Sequence, residues 1–320
     1  MIYQRRARIQ KRSVAVGLFI VTGLCSPTFT ASQENATCAV GAVENLGPGV
    51  NSSFFEGSPT VSSNERVLFF TSNRAGGQED LFVSTRQLRN GPWGEAVNVG
   101  PPVNTPGTSE NGLRVSLDGK TLYFSSNRPG GFGRSDLYVA TRLSTNHPWG
   151  AAESLGPLIN TELFEGFPTP TADGNTLYFD RGTAPGSPDE DIWVTTRANP
   201  QEPWSIPERL PPPVNGPSAD VSPSISTDGL TLYFASQRPG NIGLQDIWVA
   251  RRTDVALPWG PPENLGPRVN APASLTYAPF ISINGRSLSF SSTRPGGFGQ
   301  PACGFFNCLD AFVAAIKCGD

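Results

Sequence analysis

Short runs of alternating apolar and polar residues follow one another along the chain, and segments rich in glycine and proline separate them. In one example Asp118-Gly119 precedes the run at residues 121–125, and another apolar run begins at Asp136. Alternation with a period of two is typical of strands with one buried face, and Asp-Gly between two runs is typical of a tight hairpin. The pattern therefore predicts short antiparallel strands.

The same pattern returns at a nearly constant interval, which indicates an internal repeat. Leu-Gly-Pro or a close variant begins at Leu46, Val99, Leu155, Leu210 and Leu265, with spacings of 53, 56, 55 and 55 residues. A string of Asp, an apolar residue, a third residue that is aromatic, and Val begins in step at Asp80, Asp136, Asp191, Asp246 and Asp310. A hairpin dipeptide lies between these markers at Asp118, Asp173, Asp228 and Asn284. Markers that stay in register over this length predict five copies of one structural unit.

Each unit accommodates four strands, which we call a, b, c and d. In the second unit we expect them around residues 113–116, 121–125, 136–141 and 151–155. Four antiparallel strands repeated about an axis form a β-propeller blade, whereas two β-sandwiches would not need the same residues at one period. The prediction is an all-β, five-bladed β-propeller, with blades at about residues 47–99, 100–155, 156–210, 211–265 and 266–318.

The ends of the chain complement each other. The fifth unit stops after strand c, and residues 42–46 before the first unit match strand d of the others. We therefore expect the N-terminal part of the chain to supply the outer strand of the fifth blade, which closes the ring and removes an open edge.

Residues 1–31 have the features of a secretory signal peptide. Five cations precede a twelve-residue apolar stretch at 13–24, too short to span a bilayer, and small residues follow it. Cleavage at Cys25, as in a lipoprotein, is disfavoured because Leu24 is bulky where a small residue is required. The domain at 32–320 is then periplasmic or secreted, with no membrane insertion after cleavage, and we expect it to be a monomer.

Composition and charge narrow the function further. The 35 glycines and 31 prolines disfavour a helical bundle, and 19 Phe, 6 Tyr and 6 Trp are too many for a disordered chain. Loss of the five N-terminal cations changes the net charge from −3 to −8, which argues against nucleic acid as a partner.

Four cysteines remain after the signal peptide, and they permit three pairings. When the units are aligned, Cys38 and Cys318 fall three positions apart in the loop between strands c and d, so we predict a Cys38–Cys318 disulfide. Cys303–Cys308 would then close an insertion in the fifth blade. A metal site at these cysteines is the disfavoured alternative, because the protein is exported and no histidine lies nearby.

The segment SLDGKTLYFSSNRPGG at residues 116–131, followed by DLYV at 136–139, resembles the WD40-like PD40 repeats of TolB-type propellers. The resemblance covers residues 42–318. It implies a propeller of the kind found in periplasmic scaffolds, in some carbohydrate-active enzymes and as the gating domain of some serine peptidases. The chain departs from TolB itself because it has no separate N-terminal α/β domain and carries five units rather than six.

Each unit brings charged residues to one face, where strand a begins and the loop between strands b and c lies. The acid that opens strand a is Glu56, Glu110, Glu165 or Asp220, with Thr276 in the fifth unit. The arginine after strand b is Arg74, Arg128, Arg181, Arg238 or Arg294. These side chains could form a polar ring that binds a ligand. Alternatively, each arginine could pair with the Asp that opens strand c, and recurrence in every unit favours this structural interpretation.

Departures from the repeat indicate function more directly. The third unit adds Asp180, Asp189 and Glu190, which could bind Ca²⁺ or a cationic ligand, or could form a solvated acidic loop. No other cofactor is predicted. In the fifth unit, Phe305 and Phe306 could form a contact surface or could pack on the blade edge.

The leading hypothesis is a binding or scaffold module for a protein or glycan ligand on this face. The chain contains no Gly-x-Ser-x-Gly motif and no phosphate-binding loop, and its single histidine, His147, lies in a loop on the opposite face. If the chain is an enzyme, it is a glycoside hydrolase or polysaccharide lyase that uses two of Glu56, Glu110, Glu165 and Asp220.

Overall fold

The computed structural model describes residues 39–298 and 309–317, which form twenty strands in five four-stranded antiparallel sheets. The first blade contains β2 (Glu56–Val61), β3 (Val67–Ser72), β4 (Asp80–Thr85) and β5 (Val97–Asn98). The second contains β6 (Glu110–Val115), β7 (Thr121–Ser126), β8 (Asp136–Thr141) and β9 (Glu153–Ser154). The third contains β10 (Phe164–Pro170), β11 (Thr176–Gly182), β12 (Asp191–Thr196) and β13 (Glu208–Arg209). The fourth contains β14 (Asp220–Ile225), β15 (Thr231–Ser236), β16 (Asp246–Arg251) and β17 (Glu263–Asn264).

The fifth blade joins the two ends of the described chain. It contains β18 (Thr276–Ile281), β19 (Ser287–Ser292), β20 (Asp310–Lys317) and, as its outer strand, β1 (Ala39–Asn45). β1 runs antiparallel to β20, with Ala39 opposite Lys317 and Asn45 opposite Phe312. The a strands of adjacent blades contact one another in a closed ring. The predicted five-bladed β-propeller, closed by an N-terminal outer strand, is confirmed.

The hairpins form where the sequence places Asp-Gly. In the second blade Gly119 has φ +71°, a conformation that glycine adopts without steric cost. The hydroxyl of Ser116 accepts the backbone N–H of Thr121, and the carboxylate of Asp118 accepts the N–H of Lys120, both at 2.9–3.0 Å. These bonds fix the turn and thereby the register of strands a and b.

Apolar side chains of strand b form the core between neighbouring blades. Leu122 and Phe124 are fully buried, and they pack with Phe69 and Leu81 of the first blade. The equivalent Leu and Phe pair is fully buried in all five blades. Each such side chain contributes roughly 1.5–3 kcal/mol of burial free energy, so blade contacts dominate the stability of the ring.

An asparagine in the loop between strand d and the next strand a links adjacent blades. Asn104 accepts the N–H of Leu81 through Oδ1 and donates to the carbonyl of Leu81 through Nδ2, both at 2.9 Å. Each blade has the equivalent residue, in a Val-Asn or Ile-Asn pair: Asn51, Asn104, Asn160, Asn215 and Asn270. This repeated pair fixes the position of the loop that carries the N-terminal end of strand a.

On the face that carries the c–d loops, four blades contain a stacked pair of arginine and tryptophan. The guanidinium of Arg142 lies 4.1 Å from the centre of the Trp149 ring, and its Nε donates to the carbonyl of Gly119 at 2.7 Å. The same arginine–tryptophan stacking occurs at Arg86–Trp93, Arg197–Trp204 and Arg252–Trp259. These pairs connect the c–d loop to the a–b turn of the same blade.

All five a strands contain a bulge, which lies two residues after the strand-a acid or, in the fifth blade, after Thr276. The residue at this bulge has positive φ in every blade, between +47° and +58°: Ser58, Gly112, Phe167, Ser222 and Ala278. No helix within the described ranges has the length and apolarity needed to cross a membrane.

Candidate functional site

The four acids that open the a strands are fully buried, and each forms an ion pair with the arginine that follows strand b of its own blade. The N–O distances are 2.8 Å for Glu56–Arg74, 3.3 Å for Glu110–Arg128, 2.9 Å for Glu165–Arg181 and 2.5 Å for Asp220–Arg238. The predicted ring of acids and arginines therefore exists as a set of internal pairs.

The remaining oxygen sites of these carboxylates are also occupied. In the second blade, Oε1 of Glu110 accepts the hydroxyls of Thr108 and Ser126 at 2.7 and 2.8 Å, and Oε2 accepts the N–H of Thr105. Arg128 additionally donates to the carbonyl of Val103 at 2.6 Å. Burial raises the pKa of Glu56 and of Glu165, while hydrogen bonds and the adjacent arginine oppose the shift. Such saturated, buried groups stabilise the loop before strand a and are poorly placed to act on a substrate.

The interpretation that paired each arginine with the Asp opening strand c is wrong for the described residues. The carboxylate of Asp136 instead accepts the N–H of Phe132 at 2.8 Å, in its own b–c loop, and Asp80 accepts Asn98 of strand d at 2.9 Å. Instead, the arginine after strand b donates to the carbonyl of the valine or isoleucine in the Val-Asn or Ile-Asn pair before strand a. There its guanidinium lies beside the strand-a acid. In the fifth blade Thr276 bonds Ser292, and Arg294 donates to the carbonyls of Arg268 and Val269.

Several predicted positions lie outside the described residues. They are the signal peptide at 1–31, Phe305 and Phe306, and the disulfides Cys38–Cys318 and Cys303–Cys308. All of them stay predictions.

A different set of residues surrounds the channel on the face that carries the b–c loops. The residue before strand c gives its carbonyl to the first N–H of strand a in the next blade; for example, the N–H of Glu110 donates to Glu79 at 2.6 Å. This position is occupied by Glu79, Ser135, Glu190, Gln245 and Leu309. Two of the five blades thus bring an additional acid to this ring.

Asp180 lies on β11 at the position that Thr71, Ser125, Ala235 and Ser291 occupy in the other blades. It is fully buried, and its Oδ2 accepts the N–H of Ser222 in the fourth blade at 2.7 Å. Its Oδ1 has no hydrogen-bond partner among the described residues. Burial raises the pKa of Asp180 to about 7. A group with that pKa carries a proton for part of the time at neutral pH.

Glu190 is buried beside Asp180. Its carboxylate accepts the backbone N–H of Gly186, and burial together with the charge of Asp180 raises the pKa of Glu190 well above its ordinary value. Asp189, in contrast, is exposed and bonds the Thr183 hydroxyl at 2.9 Å. Within residues 39–298 and 309–317, no group of three or more His, Cys, Asp or Glu side chains is arranged to hold a metal ion. The geometry does not favour the calcium site predicted at Asp180, Asp189 and Glu190.

Glu79 lies on the other side of the mouth. Asn111 donates to its carboxylate at 2.8 Å, and burial raises the pKa of Glu79. Burial and, as a smaller cause, the negative charge of Glu79 raise the pKa of Tyr277. The Tyr277 ring meets the edge of Phe167 across the channel, with 6.2 Å between ring centres and an angle of 77°. We call Glu79, Phe167, Asp180, Glu190 and Tyr277 the channel mouth.

The channel below the mouth is filled by Arg114. This buried guanidinium donates to the carbonyls of Leu113 and Pro279 at 2.9 and 2.7 Å and to the Thr60 hydroxyl at 3.2 Å. It stacks on Phe280 at 5.3 Å, and burial lowers the pKa of Arg114 to about 9. A ligand on the b–c face therefore reaches only the mouth.

Sequence reasoning singled out Asp180 and Glu190 but missed Glu79, Arg114, Phe167 and Tyr277. A signal for them was present in the aligned units. Phe167 and Tyr277 occupy strand-a positions where other blades have Ser58 and Gly57, for example, and Arg114 occupies the position of Thr60. Comparing the units position by position, rather than by shared motifs, would have found these residues.

No protein-family model matches the chain, and no curated protein matches it. Solved structures do match its fold. The α-L-arabinofuranosidase PaAbf62A from Podospora anserina is 13% identical, with a TM-score of 0.52 over 88% of this chain and 95% of that one. The catalytic domain of the Coprinopsis cinerea GH62 α-L-arabinofuranosidase is 11% identical, with a TM-score of 0.53 over 87% and 98%. A putative TolB from Agrobacterium tumefaciens is 17% identical, with a TM-score of 0.48 over 88% and 98%.

The buried acids make stability depend on pH. A carboxyl whose pKa is raised by folding holds its proton in the native state after the unfolded chain has lost it, so stability falls as pH rises. For Asp180 this window extends from its ordinary pKa of 3.8 to about 7. We expect a lower melting temperature at about pH 8 than at about pH 5, and a smaller difference in Asp180→Asn. Thermal unfolding at both pH values measures the melting temperatures of the wild type and of Asp180→Asn. The exposed Glu153→Gln is the control, and an unchanged difference in Asp180→Asn would contradict the assignment.

Proposed function

We propose that this chain is an exported PD40- or TolB-like propeller that binds a protein or glycan on the b–c face. The observation that carries the proposal is the convergence of the out-of-pattern acids and aromatic residues on one channel mouth. The regular charged residues are used in internal pairs. Of the irregular residues, Glu79, Phe167 and Tyr277 are only partly buried and remain available for recognition, whereas Asp180 and Glu190 are buried. A periplasmic or secreted location is part of the same proposal and rests on residues 1–31.

Exposed apolar side chains in the loops of the b–c face also support binding. Phe54, Phe132, Leu244 and Phe298 are each about half exposed, and they lie in loops of the b–c face. The backbone N–H groups of Phe132 and Phe298 donate to the strand-c aspartates, so these loops are held in place. Rigid apolar groups around a polar centre are typical of a binding surface.

The proposal is tested by presenting arrays of glycans and of short peptides to the purified domain. Phe132→Ser removes a side chain that is 47% exposed on the b–c face, and Leu143→Ser removes one that is 81% exposed in a c–d loop on the opposite face. We expect a probe that binds the wild type to bind Phe132→Ser about tenfold more weakly, a loss of about 1.4 kcal/mol. Binding to Leu143→Ser should be unchanged. Equal losses in both variants, or no binding to any probe, would refute a ligand on the b–c face.

The second candidate is a carbohydrate-active enzyme, and one observation favours it. Asp180 and Glu190 are adjacent buried carboxyls with raised pKa values, and within the part of the chain that the structure describes neither forms an ion pair with arginine, as expected for an acid and base pair. The arabinofuranosidases named above show that this fold can carry such chemistry in other proteins. Glu56, Glu110, Glu165 and Asp220 are disfavoured for that role because each is paired with arginine. In a polysaccharide screen, hydrolysis lost in Asp180→Asn and kept in Glu153→Gln would support the enzyme over the binding module.

A further inference from the structure

We propose that a cavity on the b–c face, between the first and second blades, binds a saccharide through two adjacent hydroxyl groups that bond Asp80 and Gln78. The inference rests on the proposed binding function and names the class of its ligand. The cavity adjoins the channel mouth, because Glu79 lies between two of the residues that line it. Three observations support the inference: a shortened loop, an uncovered carboxylate, and a donor beside that carboxylate.

The b–c loop of the first blade is shorter than its counterparts. Five residues separate Arg74 from Asp80, whereas seven separate Arg128 from Asp136 in the second blade. The fourth blade has the same spacing as the second, and the loops of the third and fifth blades are longer. The first blade therefore has the shortest b–c loop of the ring.

The strand-c aspartate of the first blade lacks the hydrogen bonds that a longer loop supplies. In the second blade, the N–H of Phe132 donates to the carboxylate of Asp136 at 2.8 Å. The equivalent carboxylates of the fourth and fifth blades also accept N–H groups of their loops, and that of the third pairs with an arginine. Asp80 accepts Asn98 through Oδ2, and its Oδ1 accepts no hydrogen bond from the residues that the structure describes. One oxygen of Asp80 is therefore available to a ligand.

Asp80 can also be reached from solvent. In the second blade, Gly131 lies so close to the carboxylate of Asp136 that an added β-carbon would clash with it, and Oδ1 of Asp136 is buried. At the equivalent Gly77, an added β-carbon would meet nothing within 4 Å, and Asp80 is half-buried. The same carboxylate is thus covered in the second blade and open in the first.

The opening above Asp80 is a cavity of about 570 Å³, which lies between this short loop and the loop before strand a of the second blade. Small-molecule sites typically have volumes of about 300–1,000 Å³. Pro101 and Pro106 line the cavity and are exposed, so they offer apolar surface to the C–H groups of a sugar ring. The size and lining therefore suit a mono- or disaccharide.

Gln78 supplies a donor that complements the carboxylate of Asp80. Its Oε1 accepts the hydroxyl of Ser109 at 3.0 Å, and its Nε2 donates to none of the described residues. Gln78 is exposed and lines the same cavity. A hydroxyl group both donates and accepts, so two adjacent sugar hydroxyls match an open carboxylate beside an open amide.

Other classes of ligand match this pair of groups less well. An amine would bond Asp80 but not the amide donor of Gln78, because an ammonium group has no acceptor. A metal ion would find a single carboxylate in the cavity. A peptide presents its donors and acceptors at intervals along an extended chain, whereas Gln78 and Asp80 are grouped in one cavity.

The test measures binding of the methyl glycosides of D-glucose, D-galactose, D-mannose and D-xylose by saturation-transfer NMR. We expect at least one of them to bind the wild type and to bind Asp80→Asn at least about tenfold more weakly, since the substitution removes a charge-assisted acceptor. Asp136→Asn is the matched control, because it makes the same change at the covered carboxylate, and it should leave the affinity unchanged. Deoxy analogues of the bound sugar should lose affinity when either of two adjacent hydroxyls is absent. Thermal unfolding verifies that every variant is folded.

A loop graft tests the cavity while Asp80 stays in place. Replacing residues 76–78 with residues 130–134 gives the first blade the longer loop of the second. We expect the grafted loop to cover Asp80 and to abolish sugar binding in a folded protein. Sugar binding that survives the graft would place the ligand elsewhere and overturn the inference.

The inference would also be overturned if none of the sugars bound, if Asp80→Asn kept full affinity, or if Asp136→Asn lost as much. Tighter binding of ethanolamine or of a short peptide than of any sugar would refute the saccharide as ligand. The two proposals fail separately. An array ligand that depends on Phe132 but not on Asp80 leaves the binding function intact and removes the saccharide site. Sugar binding that depends on Asp80, with array ligands weakened equally by Phe132→Ser and Leu143→Ser, supports the saccharide site and refutes the place of the array ligands on the b–c face.

Discussion

A variant that lacks residues 1–45 is expected to melt about 10–20 °C below a variant that begins at Cys38, a difference of about 4–6 kcal/mol in a domain of this size. The two variants differ only by Cys38 and β1. β1 forms one complete side of the fifth blade, and its Val40 and Val43 pack on the core formed by Ile281, Phe290 and Phe312. Without β1, the backbone groups of β20 lose their partners, and the ring loses the contact that joins its ends.

Differential scanning calorimetry measures the two melting temperatures, and light scattering measures association. The shorter variant should also self-associate, because β20 would become an open edge eight residues long. The experiment is done under reducing conditions, which separates the contribution of β1 from that of the predicted Cys38–Cys318 disulfide. Equal melting temperatures would mean that β1 does not close the ring.

Glu110→Gln is expected to lower the free energy of unfolding by about 3–5 kcal/mol, the usual cost of breaking a buried ion pair. The substitution leaves Arg128 without its counterion in a site that is almost completely buried. Because a charge left alone is more costly than a pair removed together, Glu110→Gln with Arg128→Met should cost less than the sum of the two single substitutions.

Urea unfolding of the wild type, both single variants and the double variant gives the coupling free energy. Arg251 and Glu263 provide the matched control, since this pair has a similar distance of 3.0 Å but side chains that are 43% and 73% exposed. Glu263→Gln should cost less than about 1 kcal/mol. Additive effects at Glu110 and Arg128 would refute the structural role of the buried pair. Folded Glu110→Gln should retain its ligand affinity, because Glu110 does not reach the channel mouth.

The fold was accessible from the sequence because each blade repeats the features that build it. Asp118-Gly119 specifies a hairpin by its local backbone preferences, and Asp136 marks strand c because its carboxylate closes the loop before it. Ring closure was also accessible, since Val43 continues the pattern of strand d where the fifth unit lacks one. The hairpin dipeptide and the strand-c aspartate act locally, and the strand-d pattern recurs. All three can therefore be recognised without the folded structure.

The partner of each arginine could not be predicted from the sequence in the same way. Four of the five units offer the arginine after strand b two acids, Glu110 and Asp136 for Arg128 in the second blade, and the spacing does not distinguish them. The choice depends on the Val-Asn loop, where the carbonyl of Val103 holds the guanidinium beside Glu110. That loop is itself positioned by Asn104 through contacts with the neighbouring blade. The pairing thus follows from blade packing.

The channel mouth was the part that the sequence predicted least well. Its members come from the first, third and fifth blades, and they meet only because the a strands form a ring. Glu79 and Tyr277 are 198 residues apart, and no motif connects them. A single unit that differs from its neighbours can be recognised in the sequence, but the convergence of several such differences depends on the number of blades and their tilt.

The pairing of β1 with β20 has a consequence for the order of assembly. Among the described strands, the ribosome synthesises β1 first and β20 last, so β1 must remain without its partner until β20 has been made. Blades one to four consist of consecutive strands, and each can form as soon as its own residues emerge. The fifth blade can only form after translation of its last strand. Closure of the ring therefore joins the first and the last of the twenty described strands.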